Sequence, residues 1–267
     1  MTLQAVKVIL KRLTQHREVA IVSRGNSAIT FALSIIPKGK IILIPEEGGW
    51  IHYYKAPQRL KLKTIQIHCD DACINPIDLQ EKLQAHHPTA ILYQNPGGYF
   101  AQQPIKVIYE LCKQHDCMVI MDVSGALGTE LSDGNYADIL VGSLRKIVDA
   151  EGGFISCKDK ALFEKIESHL EFLEDRPKLE LITQKLQQLP ERISTLTRRR
   201  KKILHDLKEL DIVYPQDFGF VVVIKFSTLV EKEEILRYCQ KEKLEWVECP
   251  RYIRLNKPAI SIEVKRL

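Results

Sequence analysis

The sequence has no long hydrophobic segment and no regular cysteine framework. No apolar run in its 267 residues approaches the roughly 20 residues of a membrane span, and its opening, MTLQAVKVILKRL, lacks the architecture of a signal peptide. The seven cysteines are odd in number and scattered, which favours a reduced, cytoplasmic compartment. Because Cys69/Cys73 and Cys112/Cys117 each lack a second pair of matching spacing, we expect no metal site.

The sequence also lacks a strong charge bias. Lys and Arg number 39 and Asp and Glu 34, which gives a formal net charge of +5. This charge permits acidic small molecules as ligands but does not require nucleic acid. The basic run at residues 198–202 (RRRKK) falls in a helical pattern and is expected to lie on a solvated helix face, so nucleic acid is not the expected partner.

Two common nucleotide-binding motifs, GxGxxG and GxxxxGK[ST], are absent. Instead, the first 157 residues alternate helical patterns with runs that are apolar throughout, as expected for strands covered by helices on both faces. These runs are residues 19–23, 40–45, 64–68, 89–94, 117–122 and 137–143, and residues 76–86 and 104–115 have the pattern of crossover helices. Repeated βα units predict an α/β fold with a doubly wound, mostly parallel sheet.

The character of the sequence changes after residue 157. Residues 159–210 are charged and helical, with interruptions expected at Pro177 and Pro190. Strands are then expected at 218–226, at LEWVE, at RYIRL (251–255) and at AISIEVKRL, with a helix at 231–242. We therefore predict a large domain over residues 1–165, a helical connection over 166–210 and a small α+β domain over 211–267.

Ligands of open parallel sheets bind beyond the carboxyl ends of the strands, where this sequence places four unusual clusters. Gly25-Asn26-Ser27-Ala28 begins a helix whose free amide groups suit an anion such as phosphate. Trp50, in an aromatic cluster behind a Gly-Gly turn, offers a flat wall or simply packs under a loop. Asp122 and Ser124 follow an apolar strand. Ser143 and Lys146 follow another, where partial burial of the lysine amine would favour Schiff-base chemistry.

The order of these clusters is what pyridoxal phosphate (PLP) needs: a phosphate turn, an aromatic wall, an aspartate for the pyridine nitrogen and a lysine for the aldehyde. RGNSAITFAL, MDVSGALG and YADILVGSLRKIVDAEGGFIS resemble the corresponding passages of fold type I PLP enzymes, most closely the DegT/StrS-type aminotransferases. The resemblance covers roughly residues 19–165. It implies PLP as cofactor, bound as an internal aldimine.

The resemblance also assigns individual residues. It makes Asp122 the pyridinium partner and Lys146 the Schiff-base lysine, and it implies a homodimer. Cofactor contacts are expected from Asn26, Ser27, Ala28, Trp50, Asn95, Ser124 and Ser143. Gly125 departs from the pattern, because the family carries His or Gln there near the cofactor's 3′-oxygen; Asn95 or Gln94 is the expected substitute.

The leading hypothesis is an aminotransferase with an amino-acid donor and a keto acceptor, whose donor carboxylate is bound by Arg254. A cysteine-desulfurase-like lyase is the alternative, with Cys249 as the candidate nucleophile. Arg145 stands where that class would carry a His before the lysine. A third hypothesis is a non-catalytic relative that binds PLP, or binds RNA or a protein through residues 198–202.

Overall fold

The computed structural model describes residues 2–266, which are organised around one seven-stranded sheet with the strand order β1-β9-β8-β7-β6-β2-β3. All neighbouring strands pair in parallel except β9, which is antiparallel to both β1 and β8. Its strands are β1 (Glu18–Val22), β2 (Ile41–Pro45), β3 (Lys63–Ile67), β6 (Ala90–Gln94), β7 (Met118–Asp122), β8 (Ile139–Ser143) and β9 (Gly153–Cys157), and the short strands β4 (Cys69–Asp70) and β5 (Cys73–Ile74) form a separate hairpin. The predicted α/β class and mostly parallel sheet are confirmed.

Helices cover both faces of this sheet. One face is packed by α1 (Thr2–Thr14), α4 (Pro76–His86), α5 (Ile105–Gln114) and α7 (Arg176–Gln187), and α8 (Leu189–Asp206) packs beside α7 and against the C-terminal strands. The other is packed by α2 (Gly25–Ser34), α3 (His52–Arg59) and α6 (Lys160–Glu167). Successive residues of β6 and β7 alternate between the two apolar cores, which explains why these strands are apolar throughout.

Prolines begin two of these helices instead of interrupting them. Pro177 and Pro190 lie in the first turns of α7 and α8, where the missing N–H is one that a helix leaves unpaired and the fixed φ angle is already helical. The helical stretch is broken just before each proline, between α6 and α7 and at Gln188 between α7 and α8, so the interruptions lie where the sequence predicted them.

The chain ends in a three-stranded antiparallel sheet with the order β10-β12-β11. It comprises β10 (Val222–Lys225), β11 (Trp246–Cys249) and β12 (Ala259–Ile262). The helix α9 (Leu229–Lys241) lies between β10 and β11 in the chain. The segment RYIRL, expected as a strand, is a turn in which the Arg254 N–H donates to the Arg251 carbonyl at 2.8 Å. This turn connects β11 to β12, and the backbone hydrogen bonds of Arg251 are made to Arg254 and Leu255 within the turn. The division into three segments stays a prediction.

No helix in the described range 2–266 combines the length and apolarity that crossing a membrane requires.

Candidate active site

A cavity of about 480 Å³ lies where the carboxyl ends of β1, β7 and β8 meet the beginning of α2. This volume is within the range of about 300–1,000 Å³ that is usual for small-molecule sites. The cavity contains six of the predicted site residues: Asn26, Trp50, Asp122, Ser124, Ser143 and Lys146. Residues that are far apart in sequence therefore meet at the edge of the sheet where ligands of this architecture bind.

Asp122 is a buried carboxylate held by hydrogen bonds but not by an ion pair. Oδ1 accepts the backbone N–H of Ser124 at 2.9 Å, and Oδ2 accepts the Tyr53 hydroxyl at 2.9 Å. Burial raises the pKa of Asp122, and these donors and Lys146 oppose the rise. Within residues 2–266, no cationic side chain lies within 4.0 Å of this carboxylate. A protonated ring nitrogen entering the cavity would supply the missing positive partner.

Lys146 provides an amine in the same cavity. Its Nζ lies 5.1 Å from the centre of the Trp50 ring. Burial is the main cause that lowers the pKa of Lys146, and the positive charges of Arg254 and Arg266 lower it further. The amine therefore loses its proton more readily than an exposed lysine, as a nucleophile toward an aldehyde requires.

The opposite end of the cavity is the N-terminus of α2, where close backbone packing needs two glycines. A Cβ on Gly25 would lie 2.7 Å from Cβ of Ser143, and a Cβ on Gly153 would lie 2.4 Å from the carbonyl carbon of Arg24. These contacts hold β8 and β9 against the helix start. Asn26 accepts the indole N–H of Trp50 at 2.8 Å, which links Trp50 to the start of α2.

Three predicted cofactor contacts are not among the residues that line the cavity. Ala28 is buried in α2, and the Ser27 hydroxyl is paired with that of Ser23 at 3.1 Å. Asn95 is buried, donates to the Leu131 carbonyl and accepts the Gln103 N–H, so its amide organises loops. Asn95 is therefore not available as the expected substitute at the 3′-oxygen.

Arg254, the predicted carboxylate ligand, is also already occupied. It is 2% exposed and donates to Glu263 at 2.6 Å, to the Ser261 hydroxyl at 2.9 Å and to its neighbour's carbonyl, that of Ile253, at 2.6 Å. Its guanidinium approaches the site only indirectly, 5.1 Å from the centre of the Tyr99 ring. The expected direct contact with a donor carboxylate is not supported by this arrangement.

The features behind the two alternative hypotheses are also used structurally. Cys249 is 2% exposed in β11, and burial raises the pKa of its thiol, whereas sulfur transfer needs an exposed thiolate. In the basic run, Arg200 is buried against loop carbonyls, and Arg199 and Lys202 pair with Glu242 at 3.3 and 3.0 Å. Three of the five basic side chains expected on an exposed face are therefore engaged by other parts of the protein.

Sequence reasoning missed two residues near Asp122, Tyr53 and Tyr99, and it named a third, Gln94, only as a possible substitute at the 3′-oxygen. Tyr53 belongs to the aromatic cluster that was recognised only for Trp50, but it is Tyr53 that reaches the carboxylate. Tyr99 lines the cavity from the loop after β6. Gln94 is paired in register with Asp122 on β6, is 1% exposed, and its amide has no hydrogen-bond partner in the described part of the chain. The sequence named Gln94 but did not show that it lies beside Asp122, because it does not state the order of the strands.

The sheet, the buried aspartate and the lysine define the class of the protein: the fold is that of PLP-dependent fold type I transferases. The chain belongs to the DegT/DnrJ/EryC1/StrS aminotransferase family, whose profile matches residues 4–180. The resemblance inferred from the sequence is thus confirmed.

Solved structures and a curated protein are similar to this chain over different lengths. A serine palmitoyltransferase from S. paucimobilis with a bound PLP–myriocin aldimine has a TM-score of 0.80 at 13% identity, covering 98% of this chain and 71% of its own. An alanine–glyoxylate aminotransferase from Nostoc sp. has a TM-score of 0.79 at 12% identity, covering 98% and 81%. The 8-amino-7-oxononanoate synthase of Lysinibacillus sphaericus is 26% identical in an alignment of 162 residues that covers 52% of this chain and only 41% of that protein.

Proposed function

We propose that this cavity binds PLP and that the protein is an aminotransferase acting on an amino-acid donor and a keto acceptor. The observation that carries the proposal is the buried Asp122 carboxylate, which faces the cavity of Lys146 without a cationic partner within residues 2–266. A pyridinium nitrogen fits this position because it supplies the charge that the fold leaves out. The family and its fold are those of PLP-dependent transferases.

The two ends of the cavity would bind different parts of the cofactor. Asp122, positioned by Tyr53 and Ser124, would hold the ring nitrogen in its protonated form. Trp50 would bound one face of the ring, and Ser143 with the first amides of α2 would hold the phosphate. When bound, PLP supplies an electron sink for the bonds at the donor's α-carbon.

Lys146 is assigned two roles in this scheme. Its amine would bond covalently to the cofactor aldehyde, and after release its Nζ would move the proton from the donor α-carbon. The lowered pKa of Lys146 suits both roles, because each requires an unprotonated amine. The homodimer and the cytoplasmic location implied earlier stay predictions; sedimentation tests the first and cell fractionation the second.

The first test is covalent trapping of the cofactor. Borohydride reduction of the PLP-loaded protein, followed by peptide mapping, should place the label on Lys146. Lys146→Ala should lose the label and reduce turnover by at least about 100-fold, the lower end of what a positioned acid–base group contributes. Lys178→Ala is the matched control, because Lys178 also lines the cavity but lies 3.8 Å from Glu151.

Reaction type is tested by mixing the loaded protein with single amino acids. One equivalent of keto acid per site, formed without an acceptor, is expected of an aminotransferase. Label on another lysine would overturn the role of Lys146, and a protein that takes up no PLP would overturn the proposed cofactor. A bound donor that yields no keto acid would point to a different PLP reaction.

A further inference from the structure

Four cationic side chains line the cavity, and within residues 2–266 one of them lacks an anionic partner and an assigned role. Arg145 and Lys178 share Glu151, at 3.2 and 3.8 Å. Lys146 has the chemical role proposed above. The Arg24 guanidinium forms neither an ion pair nor a hydrogen bond with any residue in the described range. An exposed guanidinium at a cavity of this kind is available to an anion of the ligand.

The backbone of Arg24 is fixed although its side chain is free. Arg24 is the N-cap of α2, with φ −156° and ψ 159°, and its carbonyl accepts the Ala28 N–H at 3.1 Å. Gly153 of β9 packs directly against that carbonyl. The amides of the next three residues, Gly25 to Ser27, form no backbone hydrogen bond within the described range, as is usual in the first turn of a helix.

We propose that Arg24 is a further phosphate ligand of the cofactor, adding a charged two-pronged contact to the amides of α2. The inference rests on the proposed function. A guanidinium fork matches the geometry of phosphate oxygens, and the helix terminus beside it favours the same anion. We assign Arg24 to the phosphate and not to the donor carboxylate because Arg24 directly precedes Gly25 to Ser27, whose amides are proposed to bind the phosphate.

The test compares two ligands that differ only in the phosphate. Arg24→Gln should weaken PLP binding by at least about 10-fold, the lower range for a charged hydrogen bond, and should leave pyridoxal binding unchanged. Arg24→Lys should recover part of the loss, because it keeps the charge but not the fork. Arg145→Gln is the matched control and should affect neither ligand. Affinities are read from titrations of visible absorbance, so no turnover is required.

Pyridoxal binding also reports whether the Arg24 variant is folded. Equal losses for PLP and pyridoxal, or no loss for either, would overturn the role of Arg24 while leaving the proposed function in place. If Arg24→Gln keeps its PLP affinity but needs a higher concentration of amino donor for saturation, Arg24 binds the donor carboxylate, and the inference is likewise overturned. Wild-type protein that binds neither PLP nor pyridoxal would overturn the proposed function itself.

Discussion

The Tyr99 ring lies where a side chain at position 125 would extend. The resemblance places His or Gln at position 125, but a Cβ there would lie 2.5 Å from Cδ1 of Tyr99. Tyr99 cannot easily move away, because it is 4% exposed and its ring centre lies 5.1 Å from the Arg254 guanidinium and 4.6 Å from the Lys265 ammonium. The Tyr99 ring therefore occupies the space of the missing side chain.

Gly125→Ala should accordingly lower the free energy of unfolding by about 1–3 kcal/mol, the usual cost of overpacking. Urea unfolding monitored by circular dichroism measures the change. The same substitution made in Tyr99→Ala should cost much less, since the contacting ring is gone and the two effects are coupled. Equal costs in both backgrounds would show that the Tyr99 ring is not the obstacle.

Asp122 and Lys146 were found from the sequence because Asp122 ends the apolar strand β7 and Lys146 lies shortly after the end of β8, and a charged group at such a place is visible without a structure. Tyr99 gave no such signal. It lies in a loop with a positive φ of 71°, and its neighbours Gly125 and Arg254 are distant in sequence. Long-range packing of this kind has no local pattern.

At the scale of elements, the start of α2 packs against the strands β8 and β9 at the end of the cavity where we propose that the phosphate binds. Gly153→Ala should push the Arg24 carbonyl away, because the added Cβ would lie 2.4 Å from its carbon. We expect PLP affinity to fall by about 10-fold and stability by about 1–3 kcal/mol. Gly39→Ala is the control: it meets no atom within 4 Å and costs only about 1–2 kcal/mol for its φ of +81°.

PLP titration and urea unfolding of both glycine variants distinguish local displacement from general destabilisation. A loss of PLP affinity in Gly39→Ala as large as in Gly153→Ala would contradict the local explanation. The sequence predicted the strands and α2, but it did not predict their close packing. It shows that residues 25 and 153 are glycines, but it does not show which atoms lie against them. It also misplaced RYIRL as a strand, because nothing local in the sequence shows that the Arg254 N–H bonds back to the Arg251 carbonyl in a turn.

At the scale of the whole molecule, a buried ionic cluster joins the C-terminal sheet to the active-site loop. Glu263 is 2% exposed and pairs with Arg254 at 2.6 Å and with Lys265, and both cations lie beside Tyr99. Burial acts to raise the pKa of Glu263, but the two cations hold it at about 2. One carboxylate thus pairs with two buried basic groups next to the cavity, and burial together with the charge of Arg254 lowers the pKa of Lys265.

Glu263→Gln should cost about 3–5 kcal/mol of unfolding free energy at neutral pH, because it leaves Arg254 and Lys265 buried without their counter-charge. Glu245→Gln, which breaks the exposed pair with Arg266, should cost below about 1 kcal/mol. Since the folded pKa of Glu263 is depressed, its contribution to stability is complete above the unfolded pKa of about 4.3 and disappears as pH falls toward 2. The stability gap between wild type and Glu263→Gln should therefore narrow across that interval in urea titrations, and a gap that stays constant down to pH 2 would show that the lost contribution is packing rather than charge.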